Sequence, residues 1–167
     1  MSRADDHAAL PLVVDLDGTL LPITSRTIMV ARLLWRHPRE LSYYRAEQRR
    51  DRHTAKMWLW DRVGVSLRRE PIRRRLLRRL QIEAASGRRV FIASGAPAGM
   101  VDLLVEHLDV VEEGWGSEVD RRVTGVQKAD LLVERFGEHG FVYIGDARED
   151  LEVWGRAARA VVYWPSN

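Results

Sequence analysis

Apolar positions follow two regimes along this chain. Between residues 21 and 86 their spacing is helical; from residue 89 onward short branched and aromatic runs alternate with helical stretches. The first strand is read at about Leu12 to Leu16, an apolar run closed by a glycine. The next is Arg89 to Ala93, carried by Val90-Phe91-Ile92. About sixty residues separate them, far more than a connection needs, so this segment must be structured. Its spacing predicts four helices. Ile28 to Trp35 stops at His37-Pro38, because a residue before proline avoids the helical region. Pro38 to Gln48 restarts with proline in a first-turn position. Thr54 to Val63 stops at Gly64. Pro71 to Ser86 carries an apolar stripe of Ile72, Leu76 and Leu80 and ends at Gly87.

After Ala93 the pattern predicts a helix from Pro97 to Leu108, a short strand at Asp109 to Val111, and a loop or small β flap from Glu113 to Gly125. A helix at Gln127 to Phe136, a strand at Phe141 to Ile144, a helix at Arg148 to Ala158 and a strand at Ala160 to Tyr163 follow. Strand and helix in alternation predict an α/β fold, a three-layer parallel sheet covered on both faces. In such sheets chemistry collects at the carboxyl ends of the strands.

Composition adds limits. A chain of 167 residues, 46% hydrophobic and 31% charged, suits one ordinary globular domain with a small subdomain. No apolar run approaches the ~18 residues of a membrane span. Ser2 to Ala9 carries Asp5 and Asp6 and lacks a signal pattern, so the expectation is a cytoplasmic protein with a loose start. Cysteine is absent, which excludes disulfides and thiolate sites. The net charge is +3, and Lys56 and Lys128 are the only lysines in an arginine-rich chain, which makes a lysine at a special position easier to notice. The five histidines have no ligand spacing.

The candidate chemistry lies at predicted strand ends. Asp15 and Asp17, two apart on a strand, start on the same side of the chain. Two unpartnered buried acids would cost several kcal/mol, of order an ion's desolvation, so they belong at an exposed strand end beside a cation. Ser94-Gly95 follows the second strand, Lys128 opens a helix, and Gly145-Asp146 follows another strand with Asp150 four residues on. Oxygen ligands without clustered His or Cys favour a hard cation, magnesium first.

With Asp15-Leu16-Asp17-Gly18-Thr19, then Ser94, then Lys128, then Gly145-Asp146-Ala147-Arg148-Glu149-Asp150 in order, the chain resembles the haloacid dehalogenase-like hydrolase superfamily from about Leu12 to Pro165. The resemblance implies a Rossmann-like core of residues 10–20 and 82–167, with residues 21–81 as a helical C1 cap inserted after the first strand. It implies Asp15 as the nucleophile that takes up the phosphoryl group. Asp17 would be the general acid and then base, carrying a proton while Asp15 is charged. Lys128 would support Asp15, and Ser94, Gly95 and the following amides would hold the phosphate, helped by the helix opening near Pro97. Magnesium would be held by Asp15, the Asp17 main-chain oxygen and Asp146, with Asp150 supporting the metal shell. An acid at the place of Asp17 looks like the mark of phosphatases and phosphomutases rather than of dehalogenases. The order of motifs resembles the phosphoserine-phosphatase-like branch. A finer likeness is to hydrolase domains found ahead of membrane prenyltransferases of the ubiquinone-biosynthesis type.

Each residue also has a plainer reading. Ser94 could merely end a strand, Lys128 could be a helix-surface cation, and Asp150 a first-turn acid. Arg68, Arg69, Arg73 to Arg75, Arg78 and Arg79 form a basic face, read as solvated. Trp35, Trp58 and Trp60 are read as the core of a small cap. Gly95-Ala96-Pro97 stands where relatives often carry a polar residue. The expectation is a magnesium-dependent phosphatase acting on a small phosphorylated substrate. The alternative is a non-hydrolytic partner module whose basic, Trp-bearing cap binds an anionic membrane surface or a prenyltransferase. That alternative would put the protein at the membrane periphery. No nucleic-acid partner is expected.

Overall fold

The computed structural model describes residues 10–64, 72–146 and 148–163. Five parallel strands form one sheet: β1 (Leu12–Val14), β2 (Val90–Pro97), β3 (Glu113–Ser117), β4 (Val142–Gly145) and β5 (Arg159–Val162), in the order β3-β2-β1-β4-β5. β1 is central, with Val13 paired to Phe91 on one side and Tyr143 on the other. Its residues are buried on both faces, which is why it reads as an unbroken apolar run rather than an alternating one.

The helices are α1 (Ser25–Arg36), α2 (Leu41–Arg50), α3 (Arg52–Val63), α4 (Arg74–Ala85), α5 (Ala98–His107), α6 (Gly125–Phe136) and α7 (Leu151–Arg156). Period-two alternation divides the strand side chains between two cores. Leu12, Val14, Ile92 and Ile144 pack with Leu76 and Leu80 of α4 and Met100 and Leu104 of α5. Val13, Phe91 and Tyr143 pack with Ala129 and Leu132 of α6 and Val153 of α7. The three-layer α/β architecture is therefore the one expected. Among the described residues no helix is long and apolar enough to cross a membrane.

A third cluster belongs to α1, α2 and α3 alone: Met29, Leu33, Tyr44, Ala55, Leu59 and Val63. α1 is capped by Thr24, whose hydroxyl accepts from the Thr27 amide, and α3 by Asp51, which accepts from the amides of His53 and Thr54. The insert thus has its own small core. α4 does not share it, so the helix at 74–85, of which residues 74–81 were expected in the cap, packs on the sheet instead. The reason is its narrow stripe, Leu76 and Leu80, which fits beneath Leu12 and Val14.

Other expectations also give way. Asp109 to Val111 is not a strand; the edge strand is Glu113–Ser117, inside the segment read as a loop or small β flap. Its glycines signalled a turn but serve close packing: a Cβ on Gly114 would lie 2.5 Å from Val101 and one on Gly116 2.5 Å from the backbone of Ala98. Trp35 is 81% exposed and lies outside the cap core, whereas Trp58 and Trp60 pack against it. Arg74, Arg75, Arg78 and Arg79 form a solvated face, while Arg73 turns inward; Arg68 and Arg69 lie outside the described residues.

Candidate active site

The carboxyl ends of β1, β2 and β4 bring the predicted residues to one edge of the sheet. Asp15 leaves β1 directly, its amide still bonded to the Ile144 carbonyl at 2.8 Å. It is 6% exposed. Lys128, in the first turn of α6, is 4% exposed, so it is no surface cation. Its ammonium donates to Asp15 Oδ1 at 2.9 Å, to Asp150 Oδ1 at 3.1 Å and to the Tyr143 hydroxyl at 2.7 Å. Tyr143 in turn donates to Asp150 Oδ1 at 2.8 Å. Asp150 ends a short 3-10 turn, Arg148–Asp150, and is 1% exposed. It is an internal counter-charge rather than a first-turn acid of an exposed helix.

Burial drives the electrostatics. It pushes the Asp15 carboxyl up to about 7, against the pull of Lys128 and with the help of Asp150. Burial also raises Asp146, opposed by the Thr19 hydroxyl, which donates to it at 3.2 Å. For Lys128 burial works against the charge, yet Asp15 and Asp150 outweigh it and hold the ammonium above its ordinary range. Burial pushes Tyr143 well above the usual phenol range, so it stays a neutral donor.

Asp15, Asp146 and Asp150 each present a carboxylate oxygen within 4.8 Å of the others. Three hard oxygens that close, two of them on carboxyls raised by desolvation, fit a small divalent cation, which would return both to the charged form. Gly18 makes the approach possible: its φ is +82°, and a Cβ there would meet Asp146 Oδ2 at 2.2 Å. Asp17 stands apart from this cluster. Its Oδ1 accepts from the Ser25 amide at 2.6 Å and its Oδ2 from the Ser25 hydroxyl at 2.7 Å.

Ser94 is fully buried within β2, where pairing with β3 loses register between Ala93 and Pro97. The helix expected to open near Pro97 does so: α5 starts at Ala98 with Pro97 at its N-cap, and Ser94 and Gly95 precede it in the irregular stretch of β2. The Ser94 hydroxyl accepts from the Ala96 amide at 3.2 Å.

Four participants escaped the sequence reading. Tyr143 lies in the apolar run Phe141 to Ile144, and Ser25 follows the capping Thr24. Lys56, from α3, donates to the Gly95 carbonyl at 2.7 Å. Its signal was the scarcity of lysine. Arg73 donates to the Gly18 carbonyl at 3.2 Å from the point where the chain returns to the core.

This fold has known counterparts. The fold is that of the haloacid dehalogenase-like hydrolases. The chain superposes on such a hydrolase, t0658 from Salmonella enterica serovar Typhi, with a TM-score of 0.64 and 15% identity, over 89% of this chain and 61% of that one. A substrate-bound phosphoserine phosphatase gives 0.64 at 14% identity, covering 92% and 85%. A protein of unknown function from Bordetella pertussis Tohama I gives 0.65 at 12% identity, covering 91% and 88%. By sequence the chain is similar to the uncharacterized protein y4nM of Sinorhizobium fredii (strain NBRC 101917 / NGR234), 28% identical over 153 residues. That match takes in 92% of this chain but 30% of the relative, so the chain spans less than a third of its length. No protein-family profile matches.

Proposed function

We propose that the protein is a magnesium-dependent phosphatase that hydrolyses a small phosphate monoester. The observation that carries this reading is Lys128, buried and hydrogen-bonded to both Asp15 and Asp150 at the strand ends, with Asp146 close by. A structural core has no use for three acids and an ammonium at one buried point. An anion-transfer site does.

In this reading Asp15 attacks the phosphorus atom, and the bond to the ester oxygen breaks. Asp17 gives its proton to that leaving oxygen. Asp17 then takes a proton from water as the water attacks the phosphorus, releasing phosphate and restoring Asp15. Lys128 balances charge on Asp15, and Tyr143 and Asp150 fix Lys128 in place. Asp15, the Asp17 main-chain oxygen and Asp146 would hold magnesium. Asp150 supports from behind, since its Oδ1 already serves Lys128 and Tyr143. Bound magnesium supplies charge neutralisation and alignment of the phosphate oxygens. Ser94 and the amides after it receive the phosphate, and the bundle of α1, α2 and α3 acts as the cap that excludes water. Phosphatases of the same fold support the reading. The partner-module alternative leaves the buried ion cluster without a role.

The test is phosphate release from a panel of phosphorylated metabolites, with and without magnesium, for the wild type and Asp15→Asn. Turnover that needs both magnesium and Asp15 is expected. Turnover that survives Asp15→Asn would remove the mechanism.

A further inference from the structure

Lys56 reaches from the cap to the turn that follows Ser94. α3 faces the core along the line His53, Lys56, Trp60, an i, i+3, i+7 series. His53 Nε2 pairs with the Glu118 carbonyl at 2.6 Å. Trp60 lies so near α5 that a Cβ on Gly99 would come within 2.7 Å of its ring. Asp51, at the head of the helix, pairs with Arg122 at 2.9 Å. Between these anchors Lys56 donates to the Gly95 carbonyl.

The Gly95 carbonyl and the Ala96 amide belong to one planar peptide and point in opposite directions. Lys56 holds that peptide by its oxygen at 2.7 Å, and Ser94 Oγ holds it by its N–H at 3.2 Å. The peptide falls where the strand register breaks, so regular ladder pairing does not fix its orientation. A serine hydroxyl accepts twice and donates once. With the Ala96 N–H on one lone pair, the Ser94 proton points elsewhere.

We infer that Lys56 is a positioning residue of the phosphate site: by gripping the Gly95 carbonyl it sets the peptide that orients the Ser94 hydroxyl toward a phosphate oxygen. This rests on the phosphatase reading. It joins cap to chemistry, because a cap that lifts withdraws the grip and loosens the turn. Burial, the largest influence, together with Arg26 holds the proton affinity of the Lys56 ammonium below the usual lysine range, although Asp17, Glu149 and Asp15 attract it. A compact ammonium reaches a single carbonyl as a point donor, which a planar guanidinium does less well.

The experiment is a double-mutant cycle of Lys56→Met and Ser94→Ala, reading calorimetric affinity for inorganic phosphate with magnesium present. Magnesium affinity alone and thermal melting are measured beside it. Lys56→Met, which keeps the buried stem, is expected to weaken phosphate binding roughly tenfold, with magnesium affinity unchanged. The double variant should bind phosphate no worse than Ser94→Ala, since Lys56 acts through Ser94. Strictly additive losses, or no loss in Lys56→Met, overturn the inference. If Lys56→Met melts below the assay temperature, Lys56→Gln, with a shorter donor on a similar stem, carries the same cycle. A wild type that binds magnesium but neither binds phosphate nor turns over p-nitrophenyl phosphate defeats the phosphatase reading, and the inference with it. Wild-type turnover with an additive cycle defeats the inference alone.

Discussion

Both carboxylate oxygens of Asp17 are held by Ser25, one through the Ser25 amide at 2.6 Å and the other through its hydroxyl at 2.7 Å. Ser25 is the first residue of α1 and is fully buried. The residue proposed to move the proton is thus aimed by the first turn of the cap. Ser25→Ala removes one of the two donors and leaves the amide. Turnover should fall by about tenfold with KM little changed, the signature of a misaimed proton donor. Asp17→Asn should cost roughly a hundredfold to ten-thousandfold. Steady-state kinetics on the best panel substrate checks both, and a Ser25→Ala effect confined to KM would argue against the aiming role.

Asp15 and Lys128 should respond to mutation in opposite ways. Asp15 is buried at an electrostatic cost that Lys128 only partly offsets. Asp15→Asn should therefore abolish turnover while leaving the melting temperature at pH 8 unchanged or higher. Lys128→Met strips the buried acids of their cation and should lower stability by about 3–5 kcal/mol. Saturating magnesium should restore part of that loss, since it supplies positive charge at the same carboxylates. Denaturant melts with and without magnesium decide the matter.

The raised Asp15 sets a pH window. The native protein holds that proton more tightly than the unfolded chain does, so its contribution to metal-free stability is complete below about pH 4. It is lost as pH rises toward about 7 and is flat above. Subtracting the profile of Asp15→Asn isolates this contribution from the surface carboxylates. Magnesium must displace the same proton, so its apparent affinity should fall up to about tenfold for each pH unit below 7. Calorimetry in buffers of different ionisation enthalpy should record close to one proton released at pH 6 and little at pH 8.5.

How much of this was legible in the sequence depended on how local the signal was. Asp15, Asp17 and Asp146 announce themselves because each stands beside a strand end or a glycine, and Lys128 because lysine is scarce here and it falls at the start of a helix. The apolar runs around Val13, Phe91 and Ile144 give the parallel sheet for the same reason. Ser25, Lys56 and Tyr143 could not be found this way. Their roles arise from contacts between residues 8, 39 and 15 positions apart, which no spacing rule encodes. β3 was hidden by its own glycines, whose missing side chains let α5 approach the strand. Trp35 misled in the other direction, because a tryptophan in a helical stretch reads as core until the neighbouring helices settle which face is covered.

The narrowest tolerance in the site is at Gly18. Its backbone lies in the left-handed region, and the space where a Cβ would sit is taken by the Asp146 carboxylate. A left-handed alanine costs about 1 kcal/mol by itself, and the clash must be relieved by moving either the Asp17-Gly18 turn or Asp146. Moving Asp146 breaks its bond from Thr19 and draws one oxygen out of the three-acid cluster. Gly18→Ala should therefore weaken magnesium binding more than it lowers the melting temperature. Gly87→Ala makes the control. Gly87 is also left-handed, at φ +88°, but a methyl group added there would meet nothing within 4 Å, so its substitution bears the backbone strain alone. Titrating magnesium into both variants separates strain from displacement. Equal affinities would mean that Asp146 is not a ligand, whereas a loss of tenfold or more in Gly18→Ala alone places the metal against Asp146.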